Sequence, residues 1–166
     1  MGDPEVWLRG PVAGYDRAVM PVVHALIQAR EDVERLSGTT TDDELWQRPG
    51  GAASAGFHLH HLAGALDRLF TYARGEQLTD TQKETMRQEG QARPSPAELM
   101  SLVNASIDRA LAQLHDTPVS TLFDARDVGR AKLPATVIGL LFHGAEHTTR
   151  HVGQCITTLK IVRGLR

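Results

Sequence analysis

Apolar residues recur at a helical period over four long stretches of this chain, and this pattern limits the fold more than any other feature. The stretches cover about residues 15–36, 52–74, 96–115 and 134–162. The alternation of apolar and polar residues that indicates strands is almost absent. We therefore expect an all-α fold, a four-helix bundle formed by one domain over residues 1–166.

Local signals mark several helix ends. Thr41 and Ser95 each stand three residues before a glutamate, as a capping box requires, so a short helix should follow Thr41 and the third long helix should follow Ser95. Gly75 is placed to end the second long helix. A polar, exposed helix is expected at residues 80–89. The long link that contains it, residues 75–94, suggests a crossover connection rather than strict up-down order.

The segment before the fourth helix lacks a helical period. It reads "DARDVGRAKLP", from residue 124 to 134, and is expected to form a loop or a small hairpin. Residues 127–129 would then supply the bend, since Gly129 is the turn-forming residue.

Composition excludes several classes of protein. The net charge is -2 and no long basic run occurs, so we expect no nucleic-acid partner. No apolar run is long enough for a membrane span, and the amino terminus lacks the layout of a signal peptide. The single cysteine, Cys155, excludes an internal disulfide. A cytoplasmic protein is the simplest interpretation.

Histidine is the residue type that points to chemistry. In the segment "HGAEHTTRHVGQ", His143, His147 and His151 lie four residues apart and share one stripe of the fourth helix. Two imidazoles at this spacing can bind one divalent ion, but all three span about 12 Å, which is too far for one ion. His147 belongs to both pairs, while spacing leaves its companion open between His143 and His151.

A third ligand must come from another element, because two ligands do not complete a protein metal site. The second long helix contains "FHLHHLAGALDRL", with His58, His60 and His61. His60 is expected on the polar, exposed side, while His58 and His61 compete for the inside. We favour His61, because the small residues Gly64 and Ala65 one turn later would leave space beside an ion.

Two familiar metal motifs are not present. The zinc-peptidase motif needs glutamate directly after its first histidine, whereas Glu146 directly precedes His147. The Glu-x-x-His motif of di-iron bundles is also absent, because the residue three positions after Glu146 is Thr149 and not a histidine. The pattern therefore indicates a mononuclear site.

Three further residues near these stripes have open roles. Arg68 either binds the acidic part of a thiol cofactor or forms a surface ion pair. Gln154 either donates a hydrogen bond to a ligand histidine or packs against a neighbour. Cys155 is expected to be a small buried hydrophobic residue rather than a ligand or redox thiol.

These motifs together resemble a known family. "HTTRHVGQ" is similar to the His-x-x-x-His-x-Gly-Gln signature of the DinB-like (YfiT-like) metalloproteins, which are damage-inducible four-helix-bundle proteins. "FHLHHLAGALDRLFTYARG" resembles the family's second-helix region, and "WLRGPV" and "LWQRPGG" extend the likeness. The resemblance implies a crossover bundle, often homodimeric. It also implies one divalent ion, most often zinc or nickel with iron or manganese as alternatives, held by His61, His147 and His151. His143 and His58 would then either contact a ligand histidine or line the pocket beside the ion.

The resemblance also implies a class of activity. Some related proteins transfer bacterial thiols such as bacillithiol or mycothiol onto electrophiles. Three neutral imidazoles leave the ion its full charge and an open position, which would lower the pKa of a bound thiol or water. We therefore expect a metal-dependent thiol S-transferase or related detoxification enzyme acting on a small molecule. A metal-dependent hydrolase and a non-enzymatic, stress-related metal-binding module are the alternatives.

Overall fold

Six α-helices and one short hairpin make up residues 4–36 and 38–164, the part of the chain that the computed structural model describes. The four long helices are α1 (Met20–Glu34), α3 (Ala55–Ala73), α5 (Pro96–Asp116) and α6 (Val137–Gly164). Two shorter helices are α2 (Asp42–Trp46) and α4 (Asp80–Gln88). The hairpin consists of β1 (Ala125–Val128) and β2 (Leu133–Thr136), and 3-10 turns cover Val6–Arg9, Pro49–Gly51 and Val119–Thr121. The all-α prediction is confirmed.

The long helices form a bundle in which α1 and α3 lie on one diagonal. Each of them packs against both α5 and α6. Helices α3 and α6 are antiparallel, since His58 contacts His151 while His61, further along α3, contacts the earlier residue His147.

Helices α3 and α5 run in the same direction, which makes their link a crossover. Asp67 pairs with Arg109 at 3.6 Å, and one turn later the Phe70 carbonyl accepts a hydrogen bond from Gln113 at 3.0 Å. Parallel neighbours need a connection that returns along the bundle, and α4 lies on this return path. Gln82 of α4 donates to the Asp67 carboxylate at 2.7 Å, so the crossover passes over the middle of α3.

The predicted helix starts are confirmed at α2 and α5 and differ at α1, α3 and α6. Both bonds of each capping box are present, at Thr41 and at Ser95. Helix α1 begins at Met20 rather than near residue 15, with Pro21 in its first turn, where the missing N–H is tolerated. Helix α3 begins at Ala55 because Ser54 caps it, accepting from the Phe57 N–H at 3.2 Å.

The hairpin explains why α6 starts later than predicted. Pro134, expected at the start of the fourth helix, lies in β2 opposite Asp127 of β1. Both strands of a two-stranded sheet are edges, so a proline is tolerated there. The bend covers residues 129–132 rather than 127–129, because Gly129 opens it with a φ of 69° and residues 127 and 128 remain paired in β1.

The apolar faces of the four long helices meet in one core. Among the side chains with almost no solvent contact are Leu26, Leu62, Leu66, Ile107 and Leu141. No helix within residues 4–36 and 38–164 is long and apolar enough to cross a membrane.

Helices α3 and α6 approach each other most closely at Gly144. A Cβ built on this glycine would lie 2.8 Å from the Phe70 ring and 3.2 Å from Leu66, so a side chain there would force the helices apart. Gly153 on the same helix has nothing within 4 Å of such a Cβ.

This contrast gives a matched pair of substitutions. We expect Gly144→Ala to lower the free energy of unfolding by about 1–3 kcal/mol through overpacking. Gly153→Ala should leave it unchanged or raise it by up to about 1 kcal/mol through helix propensity. Urea unfolding of the three proteins measures both effects. Equal effects of the two substitutions would mean that the helices do not approach closely at Gly144.

Candidate metal centre

Three histidines from α3 and α6 converge in the groove between these helices. Ring nitrogens of His61, His147 and His151 all lie within 4.8 Å of one another. Nε2 of His61 is 3.0 Å from Nε2 of His147, and the His151 ring centroid is 4.7 Å from that of His61. The antiparallel packing produces this convergence, because His147 and His151 lie one turn apart on α6 and face the same point of α3.

A buried carboxylate fixes the orientation of His61. Nδ1 of His61 lies 2.7 Å from a carboxylate oxygen of Glu89, which can only accept, so Nδ1–H donates. When neutral, His61 therefore carries no proton on Nε2, and that lone pair is directed toward His147. A carboxylate that holds the far nitrogen of a histidine is a common feature of metal sites.

Glu89 was not identified as a site residue from the sequence, and its contacts correct one expectation. The carboxylate is only 5% exposed and its other oxygen accepts from Arg68 at 2.5 Å. Arg68 thus forms an ion pair, but a buried one rather than the surface pair considered above. The space left by Gly64 is occupied by this pair, since a Cβ there would lie 2.8 Å from the Arg68 guanidinium and closer still to Glu89. Glycine is needed so that this pair can reach His61.

His58 contacts His151, the other histidine that α6 contributes to the cluster. Nδ1 of His58 lies 2.9 Å from Nδ1 of His151, and His58 is buried. This contact leaves Nε2 of His151 without a hydrogen-bond partner among the described residues. His58 therefore contacts Nδ1 of His151, just as Glu89 contacts Nδ1 of His61.

Burial keeps these imidazoles in the form that a metal requires. Desolvation, with smaller contributions from the neighbouring His147, His61 and His58, lowers the pKa of His151 to about 4. Desolvation also lowers the pKa of His147 and of His58. Burial alone would raise the pKa of Glu89, but the hydrogen bonds from His61 and Arg68 outweigh it and lower that pKa. Unprotonated imidazoles beside an ionised carboxylate suit a cation.

The expected exposure of His60 was wrong. The side chain is 6% exposed, and its Nδ1 has no hydrogen-bond partner within residues 4–36 and 38–164. Helical periodicity placed His60 on the polar side of α3, but α2, α4, α5 and α6 all pack against this helix and leave little of it in water.

The remaining candidates lie around the cluster. The His143 side chain is half exposed, contacts Glu146 at 3.3 Å and has its ring centroid 5.5 Å from that of His147. Glu146 also pairs with Arg150 and does not belong to the cluster. Gln154 is exposed and forms no hydrogen bond with a histidine in the described part of the chain.

Cys155 is buried one turn after His151 and is not in the cluster. Desolvation raises the pKa of its thiol to about 12, so the thiolate that would bind a metal or attack a substrate is strongly disfavoured.

The donor set fits a divalent transition-metal ion. Imidazole suits zinc, nickel, iron and copper, and ligands about 2.1 Å from a tetrahedral zinc ion lie about 3.4 Å from one another. Nitrogens within 4.8 Å need only modest side-chain rotation to reach such an arrangement. The residues present are therefore compatible with one ion between α3 and α6.

A parallel helix pair joined by a crossover, with a three-histidine cluster between α3 and α6 that could hold a metal ion, defines the class of helical bundle. A sequence profile of the DinB superfamily matches residues 25–155, and the chain belongs to this superfamily. The crystal structure of a conserved protein from Enterococcus faecalis has a TM-score of 0.69 at 18% identity, covering 90% of this chain and 99% of that one.

A second solved structure shows the same fold. The crystal structure of a DinB-like protein from Bacillus cereus has a TM-score of 0.60 at 14% identity, covering 84% of this chain and 89% of that one. At these identities the likeness concerns the fold alone. No functionally curated protein matches the chain in sequence.

The contact between Glu89 and His61 leads to a prediction about affinity. Glu89→Gln should weaken zinc binding by about 10–100-fold, because an amide holds the Nδ1–H of His61 less strongly than a carboxylate does. Glu84→Gln, at an exposed position of α4, is the matched control and should leave affinity unchanged. Competition with a chromophoric chelator measures both constants. If the two variants bind zinc equally well, Glu89 does not support the site.

Protonation of His151 predicts how the metal-free protein responds to acid. The pKa of His151 is 6.5 in the unfolded chain and about 4 in the folded one. Between these pH values the unfolded state therefore binds more protons than the folded state. Stability should therefore fall as pH decreases through this window, and less steeply in His151→Gln. Urea unfolding at several pH values, with a chelator present, tests this. Identical slopes for the two proteins would contradict it.

Proposed function

We propose that His61, His147 and His151 hold one divalent ion, zinc or nickel, and that the protein is a metal-dependent enzyme acting on small molecules. The reaction proposed is transfer of a low-molecular-weight thiol to an electrophile. The observation that carries the enzymatic proposal is the number of protein ligands. No fourth cysteine, histidine or carboxylate joins the three imidazoles among the described residues. Three ligands and an open position are typical of catalytic metal sites, whereas structural zinc sites usually have four protein ligands.

The nearby acidic and sulfur groups are engaged elsewhere, which supports an open position. Glu89 is held by His61 Nδ1 and Arg68, and one oxygen of Glu146 is held by Arg150 while the other lies 3.3 Å from His143 Nδ1. The Cys155 thiol is buried with a raised pKa. A sulfur nucleophile would therefore have to come from a small molecule rather than from the chain.

A basic cleft beside the site supports an acidic thiol as that molecule. The cleft has a volume of about 250 Å³ and is lined by Arg48, Arg93 and Phe57. The Phe57 ring stacks on the His61 imidazole, with centroids 5.5 Å apart and planes 8° from parallel. Neither arginine has a carboxylate partner within the described residues. Arg68, considered for this role from the sequence, is already paired with Glu89.

Each protein group has a defined part in this proposal. A divalent ion, when bound, would supply a charge that lowers the pKa of a thiol or water beside it. Glu89 orients His61, and His58 orients His151. The lowered pKa values of His147 and His151 keep both imidazoles available as ligands at neutral pH.

Metal content is the first test of this function. Protein purified without a histidine tag should carry one zinc or nickel ion per chain, measured by elemental analysis. His147→Ala should lose the metal, because it removes a ligand that the others cannot replace. His115→Ala, at an exposed position away from the cluster, is the control and should keep it. Equal loss in both variants would exclude the three-histidine site.

Activity of the loaded protein then separates the candidate functions. We expect conjugation of an acidic bacterial thiol to a model electrophile, measured by mass spectrometry, and no conjugation by His147→Ala. Release of a hydrolysed product without thiol would favour the hydrolase. A full complement of metal with neither reaction would favour the non-enzymatic module.

A further inference from the structure

A second cleft adjoins the candidate metal centre on the hairpin side. It has a volume of about 670 Å³ and lies between the hairpin strands β1 and β2 and the pair α3 and α6. Its lining is mainly apolar, with Leu69 from α3, Leu133 and Ala135 from β2 and Leu140 from α6. His143 is the one ionisable side chain among the described residues that line it.

His143 connects this cleft to the three-histidine cluster. It lines the cleft, and its ring centroid lies 5.5 Å from that of His147, a member of the cluster. The two residues are one helical turn apart on α6, so the cleft begins roughly 6 Å along the helix from His147. A molecule that filled the cleft could therefore extend one end past His143 to the cluster.

The size and surface of the cleft fit a small molecule. The cleft is shallow and open to solvent, and its volume and mostly apolar lining with one ionisable group fall within the range of ligand sites, about 300–1,000 Å³. Leu133 is 61% exposed although it belongs to a strand, so apolar surface remains available for a ligand.

We propose that this hairpin cleft binds the apolar part, an alkyl or aryl group, of a substrate whose polar end reaches the metal centre. This inference rests on the proposed function, because it assigns the polar end to an ion held by His61, His147 and His151. It adds the substrate class: an amphiphilic small molecule rather than a fully polar one. His143 lies where the two parts of such a molecule join.

Two hydroxamates with the same metal-binding head test the cleft. Acetohydroxamate and octanohydroxamate differ only in chain length, and their binding to the zinc-loaded protein is measured by isothermal titration calorimetry. We expect octanohydroxamate to bind at least about tenfold more tightly, a difference of about 1.4 kcal/mol. Burial of its additional methylenes in the cleft would supply this preference.

A matched pair of variants locates the preference. Leu133→Asp places a charge in the cleft and should reduce the preference to less than about threefold while leaving acetohydroxamate binding unchanged. Phe123→Asp, at a residue that is 82% exposed and does not line the cleft, adds the same charge and should keep the full preference. Circular dichroism and zinc content check that each variant is folded. Leu133→Thr, which suits a strand, serves as a second variant if Leu133→Asp does not fold.

The outcomes separate the cleft from the metal site. A protein that binds no zinc overturns the proposed function, and the cleft inference with it. A protein that binds zinc and both hydroxamates equally well overturns the cleft inference alone, as does an equal loss of preference in Leu133→Asp and Phe123→Asp. If sedimentation shows that Leu133→Asp converts an oligomer to a monomer without a change in preference, the cleft is an interface between copies of the chain and the inference fails.

Discussion

The antiparallel contact between α3 and α6 is the constraint on which the candidate site depends. Gly144 allows the two helices to approach so closely that a Cβ on it would lie 2.8 Å from the Phe70 ring. At this separation, side chains that face the groove from the two helices meet directly, as His61 and His147 do at 3.0 Å. If the two helices lay further apart, His147 and His151 of α6 would still be neighbours, but His61 of α3 would be out of their reach. The packing of a glycine against an aromatic ring, one turn from the cluster, thus sets the geometry of the donors.

The crossover supplies the second support of the site. Because α3 and α5 run in the same direction, the chain must return along the bundle, and it does so across α3. This path brings Glu89 to Nδ1 of His61, and Gly64 leaves room for the carboxylate and its partner Arg68. A segment that would otherwise only connect two helices therefore also orients a candidate ligand. In an up-down bundle with a short second link, no residue of that link would reach the middle of α3.

Sequence patterns predicted the parts of this structure that depend on local chemistry. The four long helices followed from their apolar period, and the starts of α2 and α5 followed from their capping boxes. The three-histidine cluster was predicted less directly. Spacing gave His147 but could not choose between His143 and His151, and the family resemblance made that choice. Periodicity along one helix cannot detect how near a second helix lies, which is what separates His151 from His143.

What could not be predicted depends on contacts between distant segments. Glu89 is 28 residues from His61, at the end of a helix whose other residues are mostly exposed, and only the path of the crossover brings the two together. The burial of His60 has the same origin, since four other helices surround α3. Gly64 was correctly recognised as making space, but its occupant, the Glu89–Arg68 pair, is defined only by tertiary structure.

The cluster also has a cost for the folded protein without metal. His58, His147 and His151 are held in surroundings that disfavour their protonated forms, and the lone pair of His61 Nε2 is directed toward His147 Nε2 at a hydrogen-bond distance of 3.0 Å. Desolvating such groups in the groove between two helices reduces stability unless another interaction compensates, and apolar side chains there would serve packing better. A cation between the rings would turn the same lone pairs into favourable ligands. It would stabilise only the folded chain, in which α3 and α6 bring the donors together. The proposed ion would thus offset the cost of placing these imidazoles between two packed helices.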